Sequence, residues 1–174
     1  MKAYSILLSV GKDRPGIVND VTAVLFDHGA NIEDSRMAAM GGCFSIMTLF
    51  SCSAEQLEAI RAGLESLRAL GLECSLHEAR DPAGAPREAA LPLKLEILAM
   101  DHPGIVRRVV DILHSHRVNI ESLDTRLQRA PLSGAPLFDL ALEASVPAEA
   151  SISKIKAELT ALAAELNLDL SFGH

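Results

Sequence analysis

The chain has 174 residues, of which 49% are hydrophobic and 22% charged, a balance that supports one or two small globular domains. Its 16 Lys+Arg against 23 Asp+Glu give a net charge of −7, which disfavours holding nucleic acid by phosphate neutralisation. With no Trp, one Tyr and five Phe, there is little to stack on bases or sugars.

Tyr4, Ile6, Leu8 and Val10 alternate, the period of a strand. The turn Asp13-Arg14-Pro15-Gly16 follows. Ile17, Val18, Val21, Val24 and Leu25 then form one apolar stripe of an amphipathic helix. Gly29 stops that helix, as a C′ glycine does. Two strands are expected over 30–40 and 43–52, the second with Phe44, Ile46 and Thr48 on one face. A second helix carries Leu57, Ile60, Leu64 and Leu67 on its buried face, and Ser53 with Gln56 reads as a capping box at its start. Gly71 ends it, and Leu72, Cys74 and Leu76 alternate as a last strand.

The pattern then repeats. Residues 13–33 read DRPGIVNDVTAVLFDHGANIE and residues 101–121 read DHPGIVRRVVDILHSHRVNIE, without a gap. Eleven of the 21 pairs are identical, where chance supplies about one or two, so the chain carries an internal duplication. Leu93, Leu95, Ile97 and Ala99 match the first strand. Ile105, Val106, Val109, Ile112 and Leu113 match the first helix. Ile152, Ile155, Leu159 and Leu162 match the second helix, and Leu168, Leu170 and Phe172 the last strand. The second copy is longer between its second and third strands, and Arg129–Pro136 reads as the enlarged hairpin loop.

Each copy is therefore β-α-β-β-α-β, and the fold class is α+β: two ferredoxin-like units with antiparallel sheets. Residues 1–79 form the first unit and 92–174 the second. Residues 80–91, rich in Pro, Gly and Ala, form an exposed linker. A sheet with helices on one side has a second face to cover, and Leu7, Leu49 and Leu98 are expected there. Packing of the units on each other, or a homodimer through sheet faces or edges, would cover it.

The repeated Asp-x-Pro-Gly turn carries the most chemistry. Proline suits the first helical turn, and glycine, having no Cβ, lets a ligand approach the backbone. Free N–H groups and the helix dipole suit a carboxylate. Asp13 and Asp101 offer an acceptor for an ammonium group. Asn31 and Asn119, at the start of the next strand, offer donor and acceptor together. These groups are expected to converge on one edge of each unit, as a zwitterionic amino acid requires. The same turn also serves purely structural ends.

The two motifs, DRPGIV…NIE and DHPGIV…NIE, each after an alternating strand, resemble the ACT domain, a regulatory module of amino-acid metabolism. The resemblance covers nearly the whole chain as two ACT units. In this length and with no attached enzyme, it points to the glycine cleavage system transcriptional repressor family. It implies a non-enzymatic protein that binds an amino-acid effector such as glycine or serine at an interface between units. By position it implicates Asp13, Arg14, Pro15, Gly16, Ile17, Asn31 and Ile32, and in the second unit Asp101, His102, Pro103, Gly104, Ile105, Asn119 and Ile120. Repressors of that family act through a separate DNA-binding activator, which agrees with the acidic charge. The resemblance implies no cofactor. Arg14 becomes His102 and Gly29 becomes Arg117 in the second copy, so the two sites are expected to differ.

Other residues are read as packing or solvation. His28 and His116 recur at the end of the first helix, where a histidine meets the negative end of the dipole. Cys43, Cys52 and Cys74 read as small core residues, and Met37, Met40 and Met47 as strand packing. Three cysteines without a C-x-x-C suit free thiols in a reducing cytoplasm. No apolar run reaches the length of a bilayer span, and no signal-peptide pattern opens the chain. Two other readings compete: a small enzyme, for which His102 beside Asp101 is the suggestive acid–base pair, and a ligand-free scaffold for protein contacts.

Overall fold

A computed structural model describes residues 2–84, 89–129 and 134–173. The chain divides into two compact units, Met1–Pro86 and Arg87–His174. The first contains β1 (Lys2–Lys12), α1 (Ile17–Asp27), β2 (Asn31–Met40), β3 (Cys43–Ser53), α2 (Ala54–Ala69) and β4 (Glu73–Ala79). The second contains β5 (Ala90–Met100), α3 (Ile105–Ser115), β6 (Asn119–Arg129), β7 (Pro136–Pro147), α4 (Ile152–Leu166) and β8 (Asp169–Gly173). Each sheet has four antiparallel strands, in the orders β2-β3-β1-β4 and β6-β7-β5-β8. This is the duplicated βαββαβ plan. β5 begins at Ala90, inside the stretch read as linker. Residues 85–88 of that linker and 130–133 of the enlarged hairpin lie outside the described residues.

Each unit has its own core between helices and sheet. In the first, Leu7, Ile46 and Phe50 meet Ile17, Val21 and Leu25 of α1 and Ile60, Leu64 and Leu67 of α2. In the second, Leu93, Leu95, Ile97, Leu140 and Leu142 meet the equivalent helix residues. The capping box forms at α2: Gln56 N–H donates to Ser53 Oγ, and Ser53 N–H donates to Gln56 Oε1. Gly29, at φ 72°, closes α1 in a Schellman turn, with Ala30 N–H donating to the Leu25 carbonyl and Gly29 N–H to that of Phe26. Arg117 does the same work at φ 57°, with Val118 N–H donating to the Leu113 carbonyl.

The faces of β1 are the reverse of the expectation. Leu7 is wholly buried against the helices, flanked by buried Ser5 and Ser9. Tyr4, Ile6, Leu8 and Val10 point to the helix-free face, where Leu8 and Val10 are more than a third exposed. The gapless repeat explains why. Ser5, Leu7 and Ser9 are the equivalents of Leu93, Leu95 and Ile97, so matching Tyr4 with Leu93 slid the strand by one residue, and a one-residue slip exchanges the faces. Leu49, opposite Ile6, and Leu98 do lie on the helix-free faces. Met37, Met40 and Met47 are exposed rather than packed, because β2 is an edge strand with little cover and Met47 lies on the open face. Cys43, at the hairpin end of β3, is also exposed. Cys52 is in the core, where burial pushes its thiol up from the ordinary value.

Candidate functional site

The turns that open α1 and α3 leave backbone donors unused. Gly16 and Gly104 are the N-cap residues, at φ 88° and 98°, and neither helix has a side-chain cap. The other two helices are capped, α2 by Ser53 and α4 by Ser151. The first intrahelical bonds run from Asp20 N–H to the Gly16 carbonyl and from Arg108 N–H to the Gly104 carbonyl. The amides of the first turn therefore face outward with the positive end of the dipole behind them. Asp13 and Asp101 are held through their own amides, which donate to the carbonyls of Gly42 and Pro136. Pro15, Gly16, Pro103 and Gly104 are exposed, while Ile17 and Ile105 anchor the helix starts in the cores.

The two turns differ in charge. Arg14 donates to Asp20 Oδ2 at 2.6 Å, so a carboxylate already sits by the first turn of α1. In the second unit His102 turns Nδ1 to the Pro103 carbonyl at 3.2 Å rather than to Asp101. Asp20 is replaced there by Arg108, bound through both guanidinium nitrogens to Glu165, with Arg107 beside it on Asp111. Two cations in the first turn oppose the helix dipole, and that arrangement suits an incoming anion.

Asn31 and Asn119 lie at the far end of each sheet from these turns, which corrects the expected convergence. β1 and β2 run parallel on either side of β3, so the start of β2 is level with the start of β1. Asn31 is opposite Ser51, whereas the turn follows Lys12, opposite Cys43. Eight residues of β3 at about 3.4 Å each separate them by roughly 27 Å. No single amino acid spans that distance. Ile32 and Ile120 face the helices, opposite Phe50 and Ala144.

Each asparagine belongs to a cluster. Asn31 Nδ2 donates to Glu33 Oε1 at 3.1 Å, and Ser51 Oγ donates to the same oxygen at 2.6 Å. Asn119 Nδ2 and Ser145 Oγ donate to Glu121 Oε1 at 3.0 and 2.8 Å. In both strands the register shifts by one at the glutamate, between Ile32 and Asp34 and between Ile120 and Ser122. Each glutamate is thus the extra residue of a β-bulge, a feature that re-aims a side chain. In the first unit Lys2 Nζ also reaches Glu33 Oε1 at 3.0 Å. The Ser51 hydroxyl, the Lys2 ammonium and the Asn31 amide together lower the Glu33 carboxyl to about 2. The repeated Asn-Ile-Glu string contains the glutamates but does not mark them as partners of the asparagine; the bulge that turns them toward it is a property of strand pairing.

The remaining candidates are structural. His28 donates from Nδ1 to the Val24 carbonyl at 2.8 Å, at the end of α1. His116 instead reaches Glu158 of α4 at 2.9 Å. A groove of about 540 Å³ runs between α1 and the start of β2, lined by Asn19, Thr22, Phe26, Ala30, Asn31 and Ile32. Among the described residues no group of His, Cys, Asp and Glu side chains could hold a metal ion, and no helix is long and apolar enough to cross a membrane.

A family model of the ACT domain matches residues 5–77. The chain is 30% identical to the glycine cleavage system transcriptional repressor of Escherichia coli, over 94% of this chain and 86% of that protein, and equally so to its counterpart in Shigella flexneri. Among solved structures, a protein of unknown function from Galdieria sulphuraria is 28% identical, with a TM-score of 0.84 over 99% of this chain and 98% of that one. A crystal structure assigned to a glycine cleavage system transcriptional repressor shares the fold, with a TM-score of 0.70 and 23% identity over 99% and 97%.

Proposed function

This chain belongs to the ACT domain family, in the group of the glycine cleavage system transcriptional repressor, and from that premise we propose that it is a non-enzymatic sensor of a small amino acid such as glycine or serine. The observation that carries the reading is the contrast in capping: two helices have serine caps and the two that follow Asp-x-Pro-Gly have glycine and open amides. Open amides at a helix start hold a carboxylate, and the α3 turn with its arginines suits one best. The Asn-Glu-Ser cluster suits the ammonium end. Because one unit keeps the two groups at opposite ends of its sheet, a bound amino acid takes the α3 turn from one chain and the Asn-Glu-Ser cluster from the same unit of a second chain, as a homodimer allows. Effector binding favours the arrangement that holds it and so changes the surface offered to a protein partner. With a charge of −7, that partner, rather than this chain, is the one to hold DNA. Control of gene expression or amino-acid metabolism then runs through it.

A thermal-shift screen of the amino acids followed by calorimetry tests the reading. At 100 times the dissociation constant the effector adds about 2.7 kcal/mol, a melting shift of several degrees. A valine at Gly16 is a poor probe, because φ 88° strains any branched residue. Gly104→Asn is better: asparagine tolerates the left-handed region, and a Cβ there meets nothing within 4 Å. That variant should melt somewhat below the parent, since φ 98° strains any side chain, and should lose most of the effector shift measured from its own melting point. If no amino acid moves the melting point of the parent, the chain is not the sensor.

A further inference from the structure

We infer that Glu121, held by Asn119 and Ser145, is the acceptor for the effector's ammonium group, and that the equivalent place in the first unit is taken by the chain's own Lys2. The inference rests on the amino-acid reading above and names which copy is competent. The two units form the same construction from the same residue types: an asparagine two residues before a bulged glutamate, with a serine directly across the strand pair. In the first copy the construction already holds a primary ammonium, Lys2 Nζ, at 3.0 Å from Glu33 Oε1. The first unit thus displays what the site takes.

Among the described residues, the second copy has the same carboxylate and no such cation. Tyr4 is opposite Ser51 and Pro92 opposite Ser145, so two residues earlier Lys2 corresponds to Ala90, which cannot reach. Among the described residues, Asn119 and Ser145 are the partners of Glu121, and no Lys, Arg or His pairs with it. Both donors meet Oε1, which leaves Oε2 free to accept. A carboxylate is an acceptor only, and an ammonium has three donors and a full charge, so the Glu121 carboxylate selects primary amines over hydroxy acids. The asparagine acts on the ligand through the glutamate, as a positioning residue.

Calorimetry with glycine, and with glycolate as its counterpart lacking the amine, tests this on the full chain. Expected for the parent is glycine bound once per chain. Glu121→Gln should weaken glycine by roughly tenfold or more and leave glycolate unchanged, since a hydrogen bond to a charged group is lost. Glu33→Gln should leave glycine affinity unchanged, Lys2→Ala should add a second glycine site, and Ala90→Lys should close the first. Equal losses from Glu33→Gln and Glu121→Gln, or unchanged stoichiometry in Lys2→Ala, would overturn it. Methylammonium chloride, followed by NMR of the side-chain amides, separates this inference from the sensor reading. It should move Asn119 and not Asn31. A response at Asn119 without amino-acid binding sinks the sensor reading alone; a response at both asparagines or at neither sinks the inference.

Discussion

Thr48→Val should stabilise the first unit. Thr48 lies in the centre of β3, between Leu7 of β1 and Ser35 of β2, on the face under the helices. It is 1% exposed, and its hydroxyl is buried with no hydrogen-bond partner. Leaving such a group unpaired costs about 1–3 kcal/mol, and valine has the same branched shape without the hydroxyl. The second unit has a hydrocarbon, Leu142, across from Leu95 just as Thr48 is across from Leu7, so the fold already accepts one there. The expected gain is about 1–2 kcal/mol. Calorimetry should show the first unit's transition rise by roughly 4–8 °C per kcal/mol for a domain of this size. Thr48→Ser, which keeps the hydroxyl and removes a methyl, should instead cost about 1 kcal/mol. Thr125→Val, on an exposed stretch of β6, should change little. A valine variant no more stable than the parent would show that the hydroxyl is satisfied in solution and that the reasoning is wrong.

The first unit should also melt before the second, because it buries Ser5, Ser9 and Thr48 where the second buries Leu93, Ile97 and Leu142; two calorimetric transitions, with the lower one moved by Thr48→Val, would confirm it. Arg117→Gly should stabilise the second unit by about 1 kcal/mol in urea titration, since a left-handed conformation at φ 57° burdens arginine and not glycine. Ser53→Ala should cost about 1 kcal/mol through loss of the α2 capping box, read from the urea midpoint. Glu33 should titrate near 2 by NMR. Its folded value lies below the ordinary carboxylate value, so its stabilising contribution is complete above about 4.5 and lost as the pH falls toward 2, and Glu33→Gln should flatten that part of the acid-unfolding profile.

The duplication, the order of elements, the Schellman glycine and the Ser53–Gln56 box are all legible in the residues, because each depends on neighbours within a few positions. Helix stripes and caps are local patterns, and the chain repeats them. The open amides at Gly16 and Gly104 follow just as locally from Asp-x-Pro-Gly with no side-chain cap. Which face of β1 is buried is less so: apolar side chains alternate on its open face and serines sit on its buried one, so only comparison with the second copy or the paired strands settles it. What the sequence could not supply is placement across strands. That Asn31 and Gly16 stand at opposite ends of a sheet follows from β1 and β2 running parallel on either side of β3. That Glu33 and Glu121 turn toward the asparagines follows from an extra residue in a pairing register, and that Lys2 reaches one cluster while Ala90 stands in its place beside the other follows from the register of β1 on β3 and of β5 on β7. Hydrogen bonds between strands join residues far apart in the chain, so their consequences belong to the tertiary structure alone.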